Sequence, residues 1–269
     1  MLTRQAFADR FGRHALIGMV HLKPLPGAPL YGGSIDVVIE AALADALAIA
    51  AGGGTAILFE NFGDRPFEKN RAAAITIAAM TRAIAEVARQ VRLPFGVNVL
   101  RNDAASALAI AAATGGSFIR VNVHTGAMLT DQGIIEGRAA ETLRLRASLA
   151  PEVAIFADHF VKHAVPLAAI DPVQSAKDLR LRGLADALIV TGAETGAAPD
   201  AAKLAMLREV VDAPLLIGSG LSAANAEAFS DADGAIVGTA IKRDADVDQP
   251  VSAERLGEIA ARFRARGGR

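Results

Sequence analysis

Along this chain, short apolar runs alternate with longer alanine-rich segments in which apolar positions recur every three to four residues. The runs fall at 15–20, 56–59, 95–99, 118–121, 153–157, 187–190, 215–217 and 235–237. Most are hydrophobic throughout, as strands covered on both faces should be. The helical segments that follow them run roughly over 35–51, 72–91, 104–113, 137–149, 172–181, 201–211, 223–229 and 253–266. Pro94 and Pro214 stand at strand starts, where a missing N–H is tolerated. Eight strand-then-helix units imply a parallel sheet, and eight such strands close into a (β/α)8 TIM barrel. An open doubly wound sheet is the alternative. No linker or low-complexity stretch divides 1–269, and Gly52-Gly53-Gly54 reads as a helix end and turn, so one domain is expected.

Composition narrows the partners. With 52% hydrophobic and 21% charged residues and a net charge of −1, the chain can bury a large core but offers no basic surface for nucleic acid or an anionic membrane. The start, 1–13, is charged and mixed, and no apolar stretch approaches the roughly 20 residues of a membrane span. Neither a signal peptide nor a span is expected. Absence of Cys removes disulfides and thiolate chemistry and fits a reducing cytoplasm. Alanine-rich helix faces, such as 104–113, allow close packing and suggest a homo-oligomer, although the same alanines would also pack against a barrel.

In such a barrel chemistry belongs at the C-terminal ends of the strands, and here those ends are polar. Strand one leads to His21, strand two to Glu60-Asn61 and strand three to Asn98, with Asn102 and Asp103 beyond as substrate contacts or helix caps. Strand four carries Arg120 and Asn122, two apart and therefore on one side of the sheet. Strand five ends in Asp158-His159 with Lys162-His163 just beyond, and strand six in Thr191-Gly192 followed by Glu194-Thr195-Gly196. His21, Glu60, Asp158, Lys162 and His163 are the candidates for proton transfer, or for a Schiff base at Lys162. Asn98, Arg120, Asn122, Asp131 and Thr191 are candidates for holding substrate. His21 could instead close the barrel mouth through hydrogen bonds, and Glu60 could pair with Arg120. His124 and Asp131 lie in a long segment after strand four, 123–136, whose length suggests a lid over the site. Glu60, Asp158, His159 and His163 are acceptable metal ligands, but no H-x-H or H-E-x-x-H spacing is present. No metal or other cofactor is assigned, and a bound divalent ion is the minority reading. Dinucleotide binding is disfavoured, since no G-x-G-x-x-G follows the first strand.

The last two strands break into glycine turns, Gly218-Ser219-Gly220 and Gly238-Thr239-Ala240. Loops at this place in the architecture commonly bind phosphate through backbone amides and a helix N-terminus, here the short helix expected after Leu221. The plainer alternative is a pair of tight turns that need glycine. Phosphate binding by Gly218, Ser219, Gly220, Gly238 and Thr239 is the expectation.

The strand ends also carry a family resemblance. His21-Leu22 with Leu25-Pro26-Gly27, Glu60-Asn61-Phe62-Gly63-Asp64 with Pro66-Phe67, Gly96-Val97-Asn98-Val99-Leu100, Phe118-Ile119-Arg120-Val121-Asn122, Asp131-Gln132-Gly133, Lys162-His163-Ala164, Thr191-Gly192 with Thr195-Gly196, and Gly238-Thr239 with Lys242 together resemble the BtpA/SgcQ family nearly end to end. The resemblance implies a TIM barrel and membership in a family named for photosystem I biogenesis, some of whose members look like enzymes of phosphosugar or nucleoside use. Members often continue Lys-x-Asp-Gly after the last strand, whereas here Lys242-Arg243-Asp244 is followed by Ala245, which leaves that loop's conformation open. The expected function is an enzyme acting on a small phosphorylated sugar or sugar conjugate. Its reaction is N-glycosidic cleavage of a phospho-glycoside or nucleotide, or isomerase or aldolase chemistry. A non-enzymatic assembly factor is the alternative.

Overall fold

The computed structural model describes residues 1–192, 201–218 and 220–265. At its centre β1 (Ala15–His21), β2 (Ala56–Glu60), β3 (Phe95–Asn98), β4 (Phe118–Val121), β5 (Ala154–His159), β6 (Ala187–Val190), β7 (Leu215–Ile217) and β8 (Gly234–Val237) form a closed parallel barrel in sequential order. Each strand lies within two residues of its apolar run. The closing pair sets Ala15 against Gly234 and Gly18 against Val237, which eliminates the open sheet. Around the barrel lie α2 (Ile35–Ala51), α3 (Ala74–Gln90), α4 (Ala104–Thr114), α5 (Ala139–Leu149), α6 (Pro172–Lys177), α7 (Ala201–Val210) and α8 (Ala253–Arg264). The expected helix end at 266, the Glu194-Thr195-Gly196 stretch and Ser219 lie outside the described residues.

Strand residues divide between two cores with a period of two. Leu16, Val20, Ile57, Phe59, Ile119, Val121, Ile155 and Leu188 face the helices. Ile17, Met19, Leu58, Phe118, Phe156, Ile189 and Ile236 fill the barrel interior. A further helix, α1 (Arg4–Phe11), plugs the bottom of that interior. Its Phe7 and Phe11, one turn apart, pack on the stacked pair Phe118–Phe156, whose ring centroids are 4.4 Å apart. Thr3 caps it by accepting from the Ala6 amide at 3.1 Å. The charged appearance of 1–13 conceals this helix, because two apolar residues suffice to seat it.

Three segments differ from expectation. The stretch after β4 is a hairpin, Ala127–Thr130 against Gly133–Glu136, and a strand from the loop after β5, Ala164–Pro166, pairs with its first arm. This three-stranded antiparallel sheet encloses a small core of Val123, Met128, Ile135 and Val161. His124 has a structural place beneath it, its Nε2 lying 2.8 Å from the Gly183 carbonyl. The helix expected at 172–181 keeps α-geometry only through Lys177 and finishes as a π-turn over Asp178–Arg182. The helix expected at 223–229 is only a 3-10 turn, Ala226–Phe229. There the Asn225 side chain bonds the Gly220 carbonyl and the Ser222 amide, both at 2.8 Å, and the Ala226 amide reaches the Ser222 carbonyl at 3.0 Å, a single turn that is not continued as an α-helix.

After β8 the chain is tied down by Lys242, whose buried Nζ lies 2.5 Å from Oδ2 of Asp45 in α2, while Asp45 Oδ1 accepts from Val251 N at 2.8 Å. Beyond it Asp244 and Ala245 take φ values of 56° and 54°. Ala245 thus holds, with a Cβ, a left-handed conformation that glycine adopts without steric cost. Ala245→Gly is expected to stabilise the protein by about 1 kcal/mol, read as an upward shift of the urea midpoint with unchanged slope.

Candidate active site

The inward series of the barrel strands ends in polar groups at one mouth: His21 on β1, Glu60 on β2, Asn98 on β3, Arg120 then Asn122 at β4, and Asp158 on β5. Above them lies a cavity of about 680 Å³, walled on its apolar side by Phe62, Phe67, Leu100 and Val161. His21, Glu60, Arg120, Asn122, Asp131, Lys162, His163, Gly218, Gly220, Gly238 and Thr239 line it. Asn98, Asp158 and Thr191 lie behind that lining, and Thr191 Oγ1 donates to the Phe160 carbonyl at 2.5 Å. His159, one residue on from Asp158, points away from the barrel axis to the Pro172 carbonyl at 3.0 Å.

Two carboxylates share the floor, and their partners separate their roles. Asp158 accepts from Arg120 Nε at 3.2 Å and Nη2 at 3.0 Å, and from Asn122 Nδ2 at 2.7 Å. Burial works against the Arg120 charge, but Asp158 and Glu60 outweigh it and hold the guanidinium above its ordinary pKa. Glu60 is not the partner of Arg120. Its Oε2 accepts from Asn98 Nδ2 at 2.5 Å, and its Oε1 stands 3.9 Å from His21 Nε2. Asp158 is therefore committed to charge pairing, whereas Glu60 keeps an oxygen directed at the histidine. Asn122 Oδ1 has no protein partner among the described residues and suits a substrate hydroxyl.

Burial lowers the His21 pKa to about 3, assisted by the positive charges of Lys242, Lys162, Arg120 and Arg65. The imidazole is neutral at physiological pH. It packs on Phe62 with centroids 4.8 Å apart, and its Nδ1 has no protein partner among the described residues. Lys162 is lowered by burial first and by Arg120 next, against the opposing pull of Glu60 and Asp158.

The glycine turns are shaped by packing. A Cβ on Gly218 would collide with Ile189 and Thr191, and one on Gly238 would come within 3.1 Å of the His21 ring. A side chain at 238 would thus press on the histidine instead of filling an anion site. Among the described residues only the 3-10 turn Ala226–Phe229 follows Leu221, so the α-helix N-terminus expected there is absent. Anion-binding capacity rests instead on the amides of Thr239 and Ala240, which have no protein acceptor among the described residues, and on Arg255. Arg255, from the first turn of α8, lines the cavity and donates Nε to the Ala240 carbonyl at 3.0 Å. The sequence reading passed over Arg65, Arg101 and Arg255; only Arg101, three residues beyond Asn98, stood close enough to a strand end to be noticed. Five cations, Arg65, Arg101, Arg120, Lys162 and Arg255, line the cavity against two carboxylates, Glu60 and Asp131. Arg120 is paired with Asp158 and Arg65 with Asp248, which leaves Arg101, Lys162 and Arg255 as the lining cations without an ion pair among the described residues.

A sequence model of the BtpA family matches residues 12–265. The chain belongs to the BtpA family. Its relatives in the family include an uncharacterized protein of Thermococcus kodakarensis, 49% identical and aligned over 94% of this chain and 98% of that one. The photosystem I biogenesis protein BtpA of a Synechocystis species is 44% identical over 90% of this chain and 85% of its own. A putative sgc region protein, SgcQ, of Escherichia coli is 35% identical, with 86% and 87% covered. Among solved structures, thiamine phosphate pyrophosphorylase from Pyrococcus furiosus superposes with a TM-score of 0.59 at 15% identity, covering 94% and 96% of the two chains. N-acetylmannosamine-6-phosphate 2-epimerase from Clostridium perfringens gives 0.54 at 16%, covering 96% and 95%. At these identities the structural likeness establishes the TIM-barrel fold shared with the family member described here.

Because the folded-state pKa of His21 lies below its unfolded value of about 6.5, protons bind the unfolded chain first as pH falls. The stability contributed by the neutral histidine is complete above about pH 6.5 and is lost as pH drops toward 3. His21→Gln is expected to reduce the slope of unfolding free energy between pH 6 and 5 by about 1 kcal/mol per unit, measured by urea titration at each pH. This window lies above the range in which carboxylates of the unfolded chain take up protons.

Proposed function

We propose that this protein is an enzyme that moves a proton beside the carbonyl of a small phosphorylated sugar or sugar conjugate, an isomerase-type reaction. The observation that carries the proposal is the division of labour on the floor: Asp158 is neutralised by Arg120, while Glu60 is directed at a neutral His21 at 3.9 Å. A carboxylate base beside a neutral imidazole is the combination that enolisation needs. Glu60 takes the proton from the carbon next to the carbonyl, leaving an enediolate. His21 gives its ring proton to the carbonyl oxygen as charge builds on it and then takes the proton of the neighbouring hydroxyl, while the protonated Glu60 returns its proton to the former carbonyl carbon, so that the carbonyl has moved by one carbon. The phosphate is held at the Gly238–Ala240 turn by the open amides and Arg255.

Hydrolysis of a glycosidic bond is less well supported, since it calls on two available carboxyl groups and Asp158 is occupied. A Schiff-base route draws support from the lowered Lys162 pKa, the state in which a lysine is nucleophilic. The biogenesis role in the name of the Synechocystis relative gives no reason for a buried cationic cavity.

The test is deuterium exchange into a panel of ketose, aldose and amino-sugar monophosphates in heavy water, followed by NMR. Carbon-bound deuterium beside the carbonyl is expected, with Glu60→Gln slowing it at least a thousandfold and leaving ligand affinity within a few fold. No exchange in any compound, or equal exchange by the variant, would refute the proton-transfer reading. Borohydride trapping that adds mass at Lys162 would replace it with the Schiff-base route.

A further inference from the structure

In a closed ring of eight sequential strands, each strand faces the one four places on, so β8 lies across from β4 and β7 from β3. The glycine turns and Arg255 therefore occupy one side of the mouth. Arg120 on β4, and Arg101 just beyond β3, occupy the other, where Lys162 also reaches the cavity. His21 and Glu60, on β1 and β2, stand between these two sides.

The three cations of this second side are held differently. Arg120 is matched by Asp158. Arg101 and Lys162 are not matched: neither forms an ion pair among the described residues, and the bond that joins them runs from Arg101 Nη2 to the Lys162 carbonyl at 3.1 Å, which leaves the ammonium uninvolved. Arg101 is buried, with 8% of its surface exposed. Burial lowers the pKa of both groups; for Arg101 the carboxylates of Asp158, Glu60 and Asp131 oppose it and Arg120 adds to it, while for Lys162 Arg120 adds to it against Glu60 and Asp158. Glu60, Asp158 and Asp131 act on these cations through space, but none forms an ion pair with either, and two like charges drawn partly out of water gain when an anion arrives to bind them directly. Structural packing does not require two cations here, because the loop is already fixed by the pairing of Ala164–Pro166 with the hairpin.

We propose that the substrate carries a second anionic group, a carboxylate or a phosphate, which Lys162 and Arg101 bind at the end opposite the phosphate held by the Gly238 turn and Arg255. This rests on the phosphosugar reading above and narrows it to a two-anion sugar derivative, with the reacting carbon between the charged ends. Lys162 then acts through binding, and Glu60 and His21 carry the proton transfer.

Three six-carbon probes that share a 6-phosphate separate the cases: fructose 6-phosphate with an uncharged far end, fructose 1,6-bisphosphate with a phosphate there, and 6-phosphogluconate with a carboxylate. By calorimetry at least one two-anion probe is expected to bind tenfold or more tighter than fructose 6-phosphate, in line with a charge-assisted hydrogen bond. Whichever gains more identifies the second group. Lys162→Met should abolish that gain while leaving fructose 6-phosphate affinity within about twofold, and Arg101→Met should do the same if the lysine variant does not fold. Arg255→Met should weaken all three. If fructose 6-phosphate binds as tightly as the others, or the gain persists in both far-end variants, the second-anion site is refuted and the phosphate reading stands. If none of the probes binds, the phosphate reading fails and this inference fails with it. Borohydride labelling of Lys162 would also overturn it, because an amine bonded to carbon cannot serve as the ammonium that binds the anion.

Discussion

A charge taken out of water has to be met by another charge or by hydrogen bonds, and at the floor of this barrel Arg120 and Asp158 meet that condition for each other. The pair is buried, held by two hydrogen bonds and joined by Asn122. Breaking a pair of this kind by removing one partner costs roughly 3 to 5 kcal/mol, because the other charge is left stranded. The arrangement of the site follows from it. With Asp158 satisfied on β5, the remaining inward carboxylate on β2 turns to Asn98 and His21. The positive field of Arg120 in turn helps keep His21 neutral and lowers the Lys162 pKa. One ion pair thus leaves one acid charge-paired and the other facing the histidine.

The barrel was legible in the sequence because its strands are covered on both faces, so each announces itself as an unbroken apolar run. Polar residues at the ends of those runs were legible for the same reason: His21, Glu60, Asn98 and Arg120 interrupt a pattern that has no other cause to stop being apolar. Pairing among them was not. Glu60 and Arg120 could have met, and only the register of β4 on β5, Arg120 opposite Phe156, places Asp158 within reach of the guanidinium.

Residues outside the strand ends were harder to find. Arg255 belongs to a helix whose amphipathic pattern is accounted for by packing, so its reach over the glycine turns leaves no trace in the spacing. The helix expected at 223–229 is shortened to the turn Ala226–Phe229, and nothing in the alanine-rich composition displays that shortening. The segment after β4 read as a lid because its length is unusual for a connection. Its strand character depends on Ala164–Pro166, a partner some thirty residues later and only three residues long.

That shared sheet ties together two connections that in most barrels of this kind vary separately. The hairpin grows from the end of β4 and the strand beside it from the end of β5, so Lys162 and His163 are carried on a segment fixed at both ends. An insertion or deletion in either connection shifts the register of the other and moves the cations over the cavity. Along the history of the family these two segments should therefore change length in step, as one inherited unit.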